Sequence, residues 1–407
     1  MIGKFYNFYV NSFKGLSKEI WLLSAAFLVN RAGTMVIPFI AIYMTQDLGF
    51  DLIQVGWIMS FFGLGSLAGS WLGGKLTDIF SYYKVMVMSL AISGIGFVLF
   101  YKLKSFEAIC IGMFVLITIA DSFRPAAFTA IDAYSKPENK VRSISLIRLA
   151  INLGYSIGPA IGGVIYYAYG AQYLFYIDGF TCFASSIFTL IVLAPKKILS
   201  TDEEEIDIKP ETIKSVWNDR PYLTMMGILF LFNLAFFQLF VNVPLFYREV
   251  YLLNEKSIGY IMALNGVVIF LLEMPLVNFL ELKKAKAVKV VLAACVLISI
   301  SYLILNVVFW VPILIVSMLF LTFAEMLGFP FSNSWALNRA PKGRVGQYMG
   351  LYTGAFALSH IIGPNLGMRI SQSYGYDASW YVMGGLGIAA SLMTLYLLKS
   401  QKKLGLS

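Results

Sequence analysis

Twelve apolar stretches, each near 20 residues, run from Ile20 to Leu398 with short connections between most of them. A helix needs about 20 mostly apolar residues to cross the hydrocarbon core of a bilayer. Inside that core a chain must satisfy its own backbone hydrogen bonds, which a helix does within itself. The pattern therefore predicts an all-α membrane protein with twelve transmembrane helices. The expected spans, numbered 1 to 12, are about 20–44, 54–76, 85–101, 107–131, 144–169, 172–194, 222–247, 257–280, 288–308, 310–337, 346–370 and 378–398. The longest break, Pro195–Pro221, falls between the sixth and the seventh. The expected organisation is a six-helix bundle over 1–194, a cytoplasmic linker over 195–221 and a second six-helix bundle over 222–407.

A chain that is 59% hydrophobic and 13% charged, with a mean hydropathy of +0.75, is not a soluble domain of this length. The net charge of +9 is a statement about topology. Most Lys and Arg fall at the termini and in the even-numbered connections, including Lys136, Lys140 and Arg142, then Lys283, Lys284 and Lys286, then Arg339, Lys342 and Arg344. The odd-numbered connections hold Lys102, Lys104, Arg248 and Lys256. The positive-inside rule then places both termini in the cytoplasm and removes any need for a nucleic-acid partner. Asp202-Glu203-Glu204-Glu205-Ile206-Asp207 reads as a solvated part of the linker. The first apolar run follows Lys4, Lys14 and Lys18, is too long for a signal-peptide core, and is expected to remain as span 1. Cys110, Cys182 and Cys295 are isolated in apolar segments and fit neither a metal site nor a disulfide framework.

The halves repeat one another locally. Pro125, Pro159 with its preceding Gly158, and Gly162 are each matched 205 positions later by Pro330, Pro364 with Gly363, and Gly367. Repeats of six helices mark a large class of secondary transporters. Between spans 2 and 3 stands Gly74-Lys75-Leu76-Thr77-Asp78, matching G-x-L-x-D. Ile79, Ser81, Tyr82 and Tyr83 follow where further Arg, Gly and basic residues are usual, and Lys84 supplies the basic residue. Span 5 carries Gly154-Tyr155-Ser156-Ile157-Gly158-Pro159-Ala160-Ile161-Gly162-Gly163, and span 4 carries Asp121-Ser122-Phe123-Arg124-Pro125. In these segments the chain resembles the major facilitator superfamily, and the last two are similar to segments of its drug/proton antiporter branch. The resemblance implies the major facilitator fold, two pseudo-symmetric six-helix bundles with spans 1, 4, 7 and 10 lining a central cavity. It also implies a conformational latch at Gly74 and Asp78, a multi-pass location in a bacterial cytoplasmic (inner) membrane, and a monomer.

Gly154, Gly158 and Gly162 recur every fourth residue and share one helix face, where small residues let another backbone come close. Pro159 removes a donor and loosens the helix there. Either plain packing or a close, bent contact between the halves accounts for this face, and Gly363-Pro364 repeats it in span 11.

Ionisable groups inside hydrocarbon are costly and point to function. The candidates are Arg31 in span 1, Asp121 and Arg124 in span 4, Arg148 in span 5, Asp178 in span 6, Glu273 in span 8, Glu325 in span 10 and His360 in span 11. By the resemblance, Arg31, Asp121, Arg124 and Glu325 face the cavity. Asp121 and Arg124 share a helix face and can pair, and Arg31 offers Asp121 an alternative partner. Asp178 lies near a span end, where hydration suffices. Glu325 has no basic residue within a turn, and a carboxylate in low dielectric can take and release a proton near neutral pH. Asp121, Glu273 and His360 are further proton-coupling candidates. Asn233, Gln238 and Asn242 in span 7, among Phe residues, offer a polar-and-aromatic wall for an amphipathic ligand, as Arg31 and Arg124 do for an anionic group.

No enzymatic constellation emerges. Gly69 to Leu76 nearly spells a phosphate-binding loop, but Leu76 replaces the required Ser or Thr. No cofactor or metal is called for, and an ion gradient must supply the energy. The expected function is a secondary active transporter working by alternating access, exporting lipophilic or cationic small molecules in exchange for protons. A proton-coupled importer of peptides, sugars or other nutrients, and a lipid flippase or non-transporting receptor, are the rival readings.

Overall fold

The computed structural model describes residues 15–136, 139–196, 216–341 and 344–403. The acidic block Asp202–Asp207, with most of the expected linker, lies outside the described residues, as do Lys4, Lys14 and Lys342. All regular structure among the described residues is helical.

The membrane-crossing helices are Lys18–Asp47, Leu52–Phe80, Tyr82–Phe100, Phe106–Tyr134, Arg142–Tyr169, Gln172–Val192, Arg220–Phe240, Glu255–Leu282, Ala287–Asn306, Val311–Arg339 and Val345–Gln401. The last is two spans. Gly375 interrupts it with φ 85° and ψ 167°, a conformation that costs glycine little and that no helix contains. Twelve spans result. The observed boundaries fall within a few residues of those expected, except that span 7 ends at Phe240 where 247 was expected, a short separate helix, Asn242–Glu249, following it.

Local chemistry sets the helix starts. Side chains of Ser17, Ser105, Asp219 and Asn254 accept from the amides of Ile20, Ala108, Tyr222 and Ser257, satisfying first-turn donors of spans 1, 4, 7 and 8. Gly170, at φ 91°, ends span 5. Large apolar side chains such as Trp71, Phe180, Ile191 and Leu282 remain exposed on the protein, as a lipid-facing surface requires.

Packing divides the described residues into two compact units, one from 1–37 and 64–201, the other from 38–63 and 202–407. In the first, Ile20, Leu23, Phe27, Met86, Leu90, Phe123, Ala130 and Ile147 form a core drawn from spans 1, 3, 4 and 5. Span 2 approaches span 4 along Gly65, Gly69 and Gly73, where any Cβ would press on the backbone of Phe114, Thr118 and Ser122. The hydroxyls of Thr118 and Ser122 donate back to the carbonyls of Gly65 and Gly69 at 3.3 and 3.2 Å.

In the second unit the fully buried Trp380 stacks on Tyr302, whose hydroxyl donates to the Ala235 carbonyl at 2.7 Å. Residues 38–63 belong to this unit through span 11. Ser60 donates to the Ile361 carbonyl at 2.8 Å, the Ile53 amide donates to Gln372 at 2.7 Å, and Arg369 lies over the Trp57 ring. At the start of span 7, Asp219 receives three bonds from Arg339 of span 10 and one from the Tyr348 hydroxyl.

Candidate functional site

Span 1 is broken. Its first helix ends at Ala32, and a second helix, Val36–Ile42, restarts after Gly33, Thr34 and Met35. A restarted helix exposes first-turn N–H groups that lack intrahelical acceptors. Asp178 of span 6 supplies them, accepting from Met35 at 2.8 Å and Val36 at 3.1 Å while fully buried. This corrects the expectation of a hydrated Asp178: the broken helix itself provides the donors that replace water. Gly33 makes the contact feasible, since any Cβ there would overlap Thr181 of span 6. The sequence signal was present in Gly33-Thr34 followed by Pro38, a helix-interrupting run within an apolar span.

Beside the break stands Arg31. Its guanidinium lies 5.5 Å from the centroid of the Tyr155 ring, and its buried Nε has no hydrogen-bond acceptor. No ion pair to Arg31 occurs among the described residues. The alternative pairing of Arg31 with Asp121 is not formed. Asp121 instead takes Arg124 at 3.7 Å and accepts a short hydrogen bond from the Ser66 hydroxyl of span 2. Arg124 is half exposed, so this pair is partly open to its surroundings.

Gly154 and Gly158 face Arg31, Ala32 and Thr34. A Cβ on Gly154 would stand 2.5 Å from the Arg31 Cβ, and one on Gly158 would stand 2.9 Å from the Thr34 carbonyl oxygen. Gly154 and Gly158 therefore pack span 5 onto span 1 within the first unit. Pro159 and Gly162 follow on the same continuous helix. In the second unit Gly363 and Gly367 do the same for span 11 against span 7, beside Leu234 and Gln238, with Pro364 between them.

The polar residues of span 7 are all buried. Gln238 donates to the carbonyls of Leu234 and Gly363, and Asn242 donates to Ser379 and accepts from Ser371. Both hold span 7 against spans 11 and 12 where a 3₁₀ turn, Phe237–Phe240, interrupts it. Asn233 keeps its side-chain oxygen without a donor.

Glu325 of span 10 accepts from the Asn265 amide of span 8 at 3.0 Å, and the same amide donates to Thr322 at 3.1 Å. Glu273 is buried at the end of the apolar stripe of span 8 that also contains Met262 and Ile269. His360 stacks on Phe237, with centroids 4.1 Å apart and planes 7° apart, and meets Phe62 edge-on. Gly74 opens onto free space, and Asp78 is exposed without an ion pair among the described residues. The three cysteines are buried and free. No cluster of metal-ligating side chains occurs among the described residues.

Ser66, Tyr155, Asn265 and Thr322 were not read from the sequence. Each is an ordinary residue in an apolar span and becomes informative only through the helix opposite it.

The family model of the Major Facilitator Superfamily matches residues 22–364 and 312–406. The chain belongs to the Major Facilitator Superfamily. Its relatives include the uncharacterized MFS-type transporter YttB of Bacillus subtilis (strain 168), 25% identical over 95% of this chain and 98% of the relative. The sodium, lithium, potassium/proton antiporter of Planococcus maritimus is 22% identical over 92% and 94%. The quinolone resistance protein NorA of Staphylococcus aureus (strain MRSA252) is 21% identical over 93% and 96%. Among solved structures, a peptide transporter POT in complex with sulfate superposes with a TM-score of 0.79 at 16% identity, covering 97% and 96% of the two chains. The nucleoside transporter NupG superposes at 0.72 and 14% identity over 94% and 99%. This superfamily member is thus a multi-pass integral membrane protein with the major facilitator fold.

Proposed function

We propose that the chain is a proton-coupled secondary transporter of small amphipathic organic molecules, working by alternating access. The observation that carries this reading is Glu325 on the amide of Asn265. The contact joins a protonatable carboxylate of span 10 to a polar side chain of span 8, so a proton gained or lost there acts on the packing of two helices. Glu325 is therefore the proposed proton carrier, with Asp121, Glu273 and His360 as secondary positions. Arg31, Arg124, Asn233, Gln238 and Asn242 remain proposed substrate-cavity residues. The names of the antiporter from Planococcus and of the quinolone resistance protein support exchange and outward transport. The alternation of basic loops supports cytoplasmic termini; the bacterial inner membrane and the monomeric state are carried over from the family resemblance. Import is the second reading, favoured by Arg31, whose buried Nε donates to no acceptor among the described residues and suits a substrate carboxylate.

The test is transport in proteoliposomes under an imposed pH gradient, read with a fluorescent amphipathic dye. Glu325→Gln keeps size and accepts from Asn265 through its amide oxygen. It should fold, bind dye, and lose gradient-driven accumulation to the level of empty vesicles. Unchanged proton-driven transport in that variant removes Glu325 from the mechanism. Transport indifferent to every ion gradient removes the proposal.

A further inference from the structure

We infer that Arg31 and Tyr155 form an anion subsite in the first unit, built to take the carboxylate of an amphipathic organic acid. The inference rests on the transporter reading and sharpens its substrate class. A guanidinium in a membrane-spanning segment is expensive unless paired, and it is retained where a pathway or ligand needs it. The two arginines of this region differ in how they are neutralised. Arg124 has Asp121, three residues away on its own helix and tied in turn to Ser66. Arg31 has a ring face and no carboxylate among the described residues, and its buried Nε donates to nothing.

The geometry suits an oxyanion. An aromatic face attracts the cation through its π-electrons but accepts no N–H bond in the guanidinium plane. The in-plane fork of donors therefore remains to be used, and that fork matches a planar carboxylate two bonds at a time. The arginine is also held in place. Span 5 closes on it at Gly154, and Thr34 donates its amide to the Arg31 carbonyl at 3.1 Å where the helix breaks. Phe27 of span 1 meets Phe123 of span 4 with centroids 5.2 Å apart. Spans 1 and 4 run in opposite directions, so Arg31, one turn beyond Phe27, and Asp121, two residues before Phe123, are displaced the same way along the bundle. Asp121 is taken up by Arg124 and Ser66, and Asp178, bound at the turn just past Arg31, is taken up by the Met35 and Val36 amides; neither makes an ion pair with Arg31 among the described residues. An organic anion suits the unused donors of this fork.

The experiment uses the full chain in lipid nanodiscs and three probes that share one skeleton: 4-phenylbutyrate, 4-phenylbutanamide and 4-phenylbutylamine. Binding is followed by calorimetry. The butyrate should bind at least tenfold more tightly than the amide, and the amine should not bind. Arg31→Gln should abolish the preference for butyrate while its melting temperature stays level or rises, because no ion pair is lost. Arg248→Gln, which removes a guanidinium paired with Glu255 in the second unit, serves as a control and should keep the preference. If the glutamine variant does not fold, Arg31→Lys decides: it should keep the preference with weaker binding, since the charge stays and the fork is gone. Equal binding of acid and amine, absence of butyrate binding, or a butyrate preference that survives Arg31→Gln or is unweakened in Arg31→Lys overturns the subsite. Gradient-driven dye transport by the same preparation is scored separately, so a failed subsite and a failed transporter reading give different results.

Discussion

A carboxylate sealed inside a helical bundle must be supplied with donors, and Asp178 takes two from the restarted half of span 1. Asp178→Leu would leave the Met35 and Val36 amides buried without acceptors. It should lower stability by on the order of 3 kcal/mol in denaturant unfolding in detergent, since each orphaned donor costs roughly 1–3 kcal/mol. Asp178→Asn keeps one acceptor oxygen and should lose less. Asp121→Asn is expected to be milder than a fully buried pair would suggest. Arg124 is half exposed, so the loss should be within about 1 kcal/mol, in the range of exposed ion pairs. A loss of several kcal/mol in thermal unfolding would show that Arg124 depends on Asp121 for more than a screened contact. At this scale the sequence was informative about single residues and silent about pairs. Glu325 and Arg31 stood out because charge is rare in an apolar span. Asn265 and Tyr155 did not, because a partner on another helix is fixed by rotation about the helix axis, which local spacing does not encode.

Helix pairs in this protein are set by glycine faces, and the two kinds of glycine present should respond oppositely to a methyl group. At Gly154 a Cβ would stand 2.5 Å from the Arg31 Cβ and 2.9 Å from the Ala32 nitrogen. Gly154→Ala should cost about 1–3 kcal/mol, as overpacking usually does. At Gly74, inside span 2, a Cβ meets nothing within 4 Å. Gly74→Ala should gain about 0.5–1 kcal/mol from helix propensity and lost backbone freedom. Melting temperatures of the two purified variants check both signs. The spans themselves were legible, because about 20 apolar residues in a row have few other uses in hydrocarbon. Their interruptions were less so. Gly33 to Met35 and Phe237 to Phe240 break spans 1 and 7 without breaking the apolar run. The buried face was also hidden, because lipid and protein interior are both apolar and an amphipathic period does not separate them.

Over the whole chain, the alternation of basic connections predicts labelling patterns. A cysteine at Lys284 should react only with reagent supplied from the cytoplasm, and one at Glu255 only with reagent supplied from outside. Reaction of the first from outside would overturn the orientation. The half-length repeat was legible because proline and glycine are punctuation that survives when surrounding apolar residues interchange. It corresponds to a shared construction, span 5 on span 1 and span 11 on span 7. The match fails at one position in an instructive way. Where the first half has Gly154, the second has Ser359, 205 positions on, and its hydroxyl donates to the Phe230 carbonyl of span 7 at 3.2 Å. The seam of the second half has room for a hydroxyl, and the seam of the first does not. If the chain arose by duplication of a half-length gene, exchange at this locus runs downhill in one direction only. Ser359→Gly forfeits one hydrogen bond, whereas Gly154→Ser must push two backbones apart. The two copies are then free to diverge on one side of the molecule and confined on the other, with the confined copy being the one that holds Arg31.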